Sequence, residues 1–248
     1  MSSSQPLPDK TRSTDAFSRW ENEVRFELFS ERDLPTLSVP EQIAAELARR
    51  IVRGALEPGR RIAEQEVANE FKVSRGPVRE AIRVLEREGL VTVLPRRGAV
   101  VTELSAHEVA ELFEIRAALF ALVVQKIVQQ PDAELLAALR AGVGRLDALA
   151  EGEHDGDAYA ETVYRLLVLV ARHCDNLRLQ RMLSALSLQT LRYSKLGLAR
   201  VERRKRSARL WRSTLTAIER GDSERAVALA QQRIRESSDE ALRQLSLS

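Results

Sequence analysis

What this sequence lacks narrows it first. Among its 248 residues there is one cysteine, Cys174. A lone thiol closes no bridge within the chain, and there is no CxxC pair to hold zinc. The three histidines, His107, His154 and His173, are scattered and form no ligand spacing. No apolar run approaches the roughly 20 residues that span a bilayer. The run Leu166 to Ala171 is short and stops at Arg172 and His173. The opening MSSSQPLPDKTRSTDAFSRW has no charged segment followed by an apolar stretch, so it does not read as a secretory signal. A reducing, cytoplasmic setting without a membrane is expected. Charge of one sign is missing too: 39 Lys+Arg face 36 Asp+Glu, a formal +3. A polyanionic partner therefore has to be met by local charge, not by the net balance. GxGxxG, the P-loop, the nucleophile elbow and HExxH are all absent. An enzyme with an all-α catalytic domain is the disfavoured alternative, and no cofactor is expected.

What is present is a chain with 44% hydrophobic residues, enough for ordinary cores in one or two domains. Residues 1–37, rich in Ser, Pro and charge, read as a flexible arm in which Trp20 to Phe29 could form a short helix. Order begins near Ser38. Ile43, Leu47 and Ile51 recur every fourth residue, one face of a helix that Gly54 and then Glu57-Pro58-Gly59 end. Val67 and Phe71 mark a second, short helix with Glu64 and Glu66 in its first turn, where carboxylates suit the helix dipole. After Lys72-Val73, Ser74 reads as the N-cap of a third helix, with Pro77 in its first turn and Val78, Ile82 and Leu85 as its core stripe. Gly89 stops it. Leu90–Leu94 and Ala99–Thr102, joined by Pro95-Arg96-Arg97-Gly98, then read as a hairpin.

From Ser105 onward the pattern is helical, with segments expected at 106–130, 132–150, 157–173, 176–196, 200–220 and 223–245. The fold class is therefore mainly α: an N-terminal winged helix-turn-helix over residues 38–104, followed by an all-α bundle over 105–248. On the third helix Arg75, Arg79 and Arg83 lie every fourth residue, on a different face from the core stripe. Such a stripe is usually only a solvated face. Here it starts at a capped turn, follows a short acidic helix and precedes a basic-tipped hairpin. A guanidinium fork can grip a guanine edge or a phosphate bidentately. Ser74 and the free N–H groups of that helix start can hold a phosphate.

The runs Pro58–Ile62, Ser74–Ile82, Leu85–Val91 and Arg96-Arg97-Gly98 closely resemble the GntR family of bacterial regulators. The resemblance implies a homodimer on double-stranded operator DNA. It places contacts on Gln65, Ser74, Arg75, Gly76, Pro77, Arg79, Arg97 and Gly98. Position 76 is more often Thr in the family, and Gly76 lacks the hydroxyl that could touch phosphate. Residues 105–245 are similar to the FCD effector domain of the FadR-type subgroup. The match rests on Leu112–Arg116, on Asn176, and on Ala217-Ile218, Gly221-Asp222 and Ala226. Many such domains hold a divalent metal through one Asp and three His, and the metal grips a carboxylate effector. Here those positions read Glu161, Arg165, Trp211 and Arg233. Arginine stays protonated and cannot ligate. The expectation is an effector site without metal, built from Glu161, Arg165, Trp211 and Arg233, that takes a small organic acid directly.

Overall fold

The computed structural model describes residues 37–96, 98–152 and 155–247. The possible helix at Trp20–Phe29, the wing residue Arg97 and His154 lie outside them. The N-terminal part folds as α1 (Val39–Val52), β1 (Arg61–Ile62), α2 (Glu64–Phe71), α3 (Arg75–Arg87), β2 (Val91–Leu94) and β3 (Gly98–Val101). A capping box opens α1: Glu41 takes the Ser38 backbone N–H at 2.9 Å. Ile43, Leu47 and Ile51 are buried against Val78, Ile82 and Leu85 of α3, each side chain worth roughly 2 kcal/mol of burial. Lys72, in the left-handed region at φ 55°, turns the chain between α2 and α3. Ser74 holds the N-cap position of α3, as expected, but its side chain makes no capping bond. The wing is larger than the sequence pattern indicates. The two-residue β1 pairs with β3, giving an antiparallel sheet of order β1-β3-β2 with Arg61 opposite Val100 and Val91 opposite Val101.

The rest is helical: α4 (Ala106–Gln129), α5 (Ala133–Ala150), α6 (Gly156–Arg172), α7 (Leu177–Gln189), α8 (Leu191–Gly197), α9 (Val201–Glu219) and α10 (Ser223–Leu245). Side chains at four N-caps explain these starts. Ser105, Asp132, Asn176 and Asp222 each accept a backbone N–H from the first turn. The helices α4 and α10 pack along one another at the centre, with α9 beside α10 and α5.

The segment expected as one helix over 176–196 is divided at Thr190. Its hydroxyl donates back to the Leu186 carbonyl at 2.6 Å, and Arg116 Nη1 donates to that hydroxyl at 2.5 Å. Back-bonding by threonine bends helices. Here the bend turns α8 against both the winged part and α10. Tyr193 Oη accepts the Leu104 N–H at 3.4 Å, and Arg192 Nη2 donates to the Thr102 carbonyl at 3.5 Å. On its other side α8 meets α10 so closely that a Cβ on Gly197 would lie 2.4 Å from the Ser237 carbonyl oxygen. Backbone, unlike a side-chain tip, cannot swing away. Gly197→Ala should therefore destabilise the chain by about 1–3 kcal/mol, read as a lower urea midpoint at unchanged slope.

Candidate nucleic-acid interface and effector site

The open end of α3 collects the expected recognition residues. Ser74, Arg75, Gly76 and Arg79 are exposed there, Pro77 is half-buried, and Gln65 is exposed in the first turn of α2. Gln65 Nε2 donates to Asn69 Oδ1 at 2.9 Å, which lays its amide along the helix surface. Glu64 brings the two arginines together: Arg79 Nε donates to Glu64 Oε2 at 2.9 Å and Arg75 Nη2 to the same oxygen at 3.3 Å. Both arginines are more than half exposed, so this clamp adds little stability. It does hold the two forks side by side. Gly98, at φ 78°, is exposed at the start of β3 next to the wing tip.

Inside the bundle, arginines stand where an apolar core would be expected. Arg204 is fully buried, and both its terminal nitrogens are matched to backbone: Nη1 reaches the Ala199 and Leu198 carbonyls at 2.5 and 3.2 Å, and Nη2 reaches the Gly152 carbonyl, while Nε is unpaired. Arg203 has a carboxylate, Glu236, at 3.2 Å. Arg116 and Arg233, each only 3% exposed, have neither arrangement. Arg116 Nη1 meets the hydroxyls of Thr190 and Ser194, at 2.5 and 3.2 Å, and its Nε is unpaired. The Arg233 guanidinium lies 3.7 Å from the centroid of the Trp211 ring and 5.3 Å from that of Phe120, while its Nε and Nη2 are unpaired. Among the described residues no carboxylate pairs with either cation.

Burial pushes both guanidinium groups down to about 9, Arg233 further disfavoured by Arg116 and Arg203. Both remain charged at neutral pH. Tyr159, fully buried on α6, cannot balance them: burial pushes its phenol up to about 12, so it stays neutral.

Two successive stretches of the chain match two family models. Residues 40–101 match the bacterial regulatory proteins of the gntR family, and residues 111–236 match the FCD domain. The chain belongs to the GntR family. A helix-turn-helix transcriptional regulator of Bacillus subtilis (strain 168) is 35% identical over 122 residues, 49% of this chain and 53% of that protein. The gluconate operon transcriptional repressor of the same organism is 38% identical over 102 residues, 41% of this chain and 42% of that protein. The matched stretch thus spans about half the length of these curated relatives. Among solved structures, Escherichia coli McbR/YncC superposes with a TM-score of 0.70 at 20% identity, over 85% of this chain and all of that one, which shows the shared fold.

Within this GntR-family fold the expected effector residues are only partly together. Trp211 and Arg233 are in ring-to-cation contact. Glu161 faces Lys195, at 3.8 Å, and Arg165 lies half-buried one turn further along α6. Arg116 and Arg203, which are not among the expected effector residues, lie near enough to Arg233 to disfavour its charge, and Arg116 stands on the core stripe between Phe113 and Phe120. Among the described residues no group of three His, Cys, Asp or Glu could hold a metal. His173 is tied to the Leu169 carbonyl at 2.9 Å, and His107 is exposed beside Glu111. Cys174 is buried, which pushes its thiol up and away from reactivity.

The contrast among the arginines is testable. Arg204→Met would remove the donor from three carbonyls, that of Leu198 buried and those of Ala199 and Gly152 part-buried. Stability should fall by about 2–4 kcal/mol, measured by urea unfolding followed by circular dichroism.

Proposed function

We propose that this chain is a transcriptional repressor that works in the cytoplasm. It binds a palindromic double-stranded operator as a homodimer and releases it when a small organic acid binds in the helical bundle without metal. The observation that carries the reading is the pair Arg75 and Arg79, exposed at the open N-terminus of α3 within a GntR-type winged helix. That end offers unpaired backbone N–H groups and two guanidinium forks, the combination that suits a phosphate and a base edge in the major groove. Ser74, Gly76 and Pro77 bring backbone close to the duplex, Gln65 approaches from α2, and Arg97 and Gly98 from the wing. Relatives named as transcriptional repressors support the direction of control.

Two further features support the remaining parts. For the dimer, α4 exposes Ile115 and Leu122, seven residues apart on one face and each nearly half exposed, and the adjacent α7 exposes Met182. Such an apolar face suits an isologous contact with a second copy. For sensing, the site is Arg116, Arg233 and Trp211 in place of the full set Glu161, Arg165, Trp211 and Arg233. Arg116 holds Thr190 and Ser194, and the residues next to them, Arg192 and Tyr193, hold Thr102 and Leu104 at the end of the winged part. A ligand that draws Arg116 away from those hydroxyls acts on the segment that positions the DNA reader. It changes operator affinity to the extent that it prefers one arrangement of the two.

Arg79→Ala should cost about 1–3 kcal/mol of operator affinity and relax discrimination at one base position, whereas Arg97→Ala should weaken all sequences alike and flatten the salt dependence. Titration of labelled duplexes at two salt concentrations checks both. Unchanged operator binding by folded Arg79→Ala protein would refute this docking. Leu122→Asp should shift the sedimentation coefficient from dimer to monomer at micromolar concentration, since it places a carboxylate in the centre of the apolar face.

A further inference from the structure

We propose that the effector is a small dicarboxylate, with one carboxylate held by Arg233 and the other by Arg116. The inference rests on the reading of the bundle as the effector site and specifies the ligand that site takes.

The argument is a charge count joined to geometry. Two fixed cations are buried, and no described carboxylate pairs with either. The neighbouring cation, Arg203, faces the carboxylate of Glu236, which it shares with the more exposed Arg206. The neighbouring hydroxyl of Tyr159 stays protonated, because burial raises its phenol to about 12. A single carboxylate would therefore leave one buried positive charge unmatched, and a neutral ligand would leave two. Unmatched buried charge is strongly unfavourable, so the best occupant brings two negative charges.

The unpaired atoms show where those charges go. Trp211 and Phe120 cover the Arg233 guanidinium, so it can bond only in its own plane. Its unpaired atoms are Nε and Nη2, the two donors of the side-on edge that receives a carboxylate bidentately. Arg116 spends Nη1 on Thr190 and Ser194 and keeps Nε unpaired, so its open edge also faces away from its present partners. The two forks belong to different helices, α10 and α4. Phe120, against which Arg233 lies, stands four residues beyond Arg116 on α4. Two carboxylates on one short carbon chain supply a separate anionic group to each fork. The indole Nε1 of Trp211, also buried and unpaired, can serve an uncharged oxygen between them.

The test uses the full chain, dialysed and titrated by calorimetry with succinate, glutarate and adipate. The controls are butyrate, valerate and hexanoate, which match in carbon number and carry one charge, and inorganic phosphate. At least one diacid should bind about 30-fold or more tightly than its matched monoacid, the usual scale of one buried charge pair. Arg116→Met and Arg233→Met should each bring that diacid down to the affinity of the monoacid. Without ligand, each variant should melt several degrees above the wild type, because an unmatched buried cation is gone. The wild-type comparison of diacid with monoacid stands even if a variant fails to fold. Equal binding of diacid and monoacid, lost in Arg233→Met, would overturn the dicarboxylate while leaving the site as an acid sensor. Phosphate binding as tightly as the best diacid would overturn it in favour of one compact dianion. Binding of no acid at all, or binding that survives both substitutions, would overturn the sensing site and this proposal with it.

Discussion

A guanidinium group does not give up its proton at neutral pH, so every arginine folded into an interior must be supplied with acceptors. This bundle buries several, and the way each is supplied organises the helices around it. Arg204 is met by carbonyls of the α8–α9 connection and of the α5–α6 connection, which ties two loops to one side chain. Arg203 is met by Glu236 and by backbone of α10. Arg116 receives the hydroxyls of Thr190, where the helix divides, and of Ser194. Arg233 receives aromatic faces, which offset some of the cost without neutralising the charge. The interior is thus graded from well-supplied cations to poorly supplied ones, and the latter lie on aromatic rings: Arg116 on Phe113, Arg233 on Trp211 and Phe120.

The exposed end of the molecule meets the same requirement differently. Arg75 and Arg79 share one oxygen of Glu64, in contact with solvent, where an ion pair is weak and readily exchanged. A clamp of that strength orders two long side chains yet yields to a stronger acceptor. The buried arginines have no such freedom, since solvent does not reach them. One residue type therefore serves two purposes in the chain, and burial separates them.

Much of this was legible in the sequence. The winged part followed from the spacing of Ile43, Leu47 and Ile51, from Ser74 with Pro77, and from the β-branched runs around Arg96–Gly98, all local signals. Strand β1 was not legible, because two residues carry no alternation and its pairing with β3 is a contact across 38 or so residues. The break at Thr190 was hidden because the residue that stabilises it, Arg116, lies 74 positions away. The same holds for Glu64, whose partners are 11 and 15 residues downstream. The effector candidates rest on family positions on α6, α9 and α10, of which the structure brings Trp211 and Arg233 into contact. Arg116 was visible in principle as a cation on the apolar stripe of α4, between Phe113 and Phe120. Neither its burial nor its lack of a counter-charge could be read without the opposing helices.

The contact between Arg233 and Trp211 also gives the protein an optical property. The chain has two tryptophans, and Trp20 lies ahead of the described residues. Trp211 is 3% exposed and carries a positive charge 3.7 Å from its ring centroid. An indole shifts electron density across its rings on excitation, so its emission energy follows the local electric field. A cation held at that distance imposes a large part of this field. Any event that neutralises, displaces or reorients the Arg233 guanidinium is thereby written into the colour and intensity of Trp211 fluorescence, with no label attached.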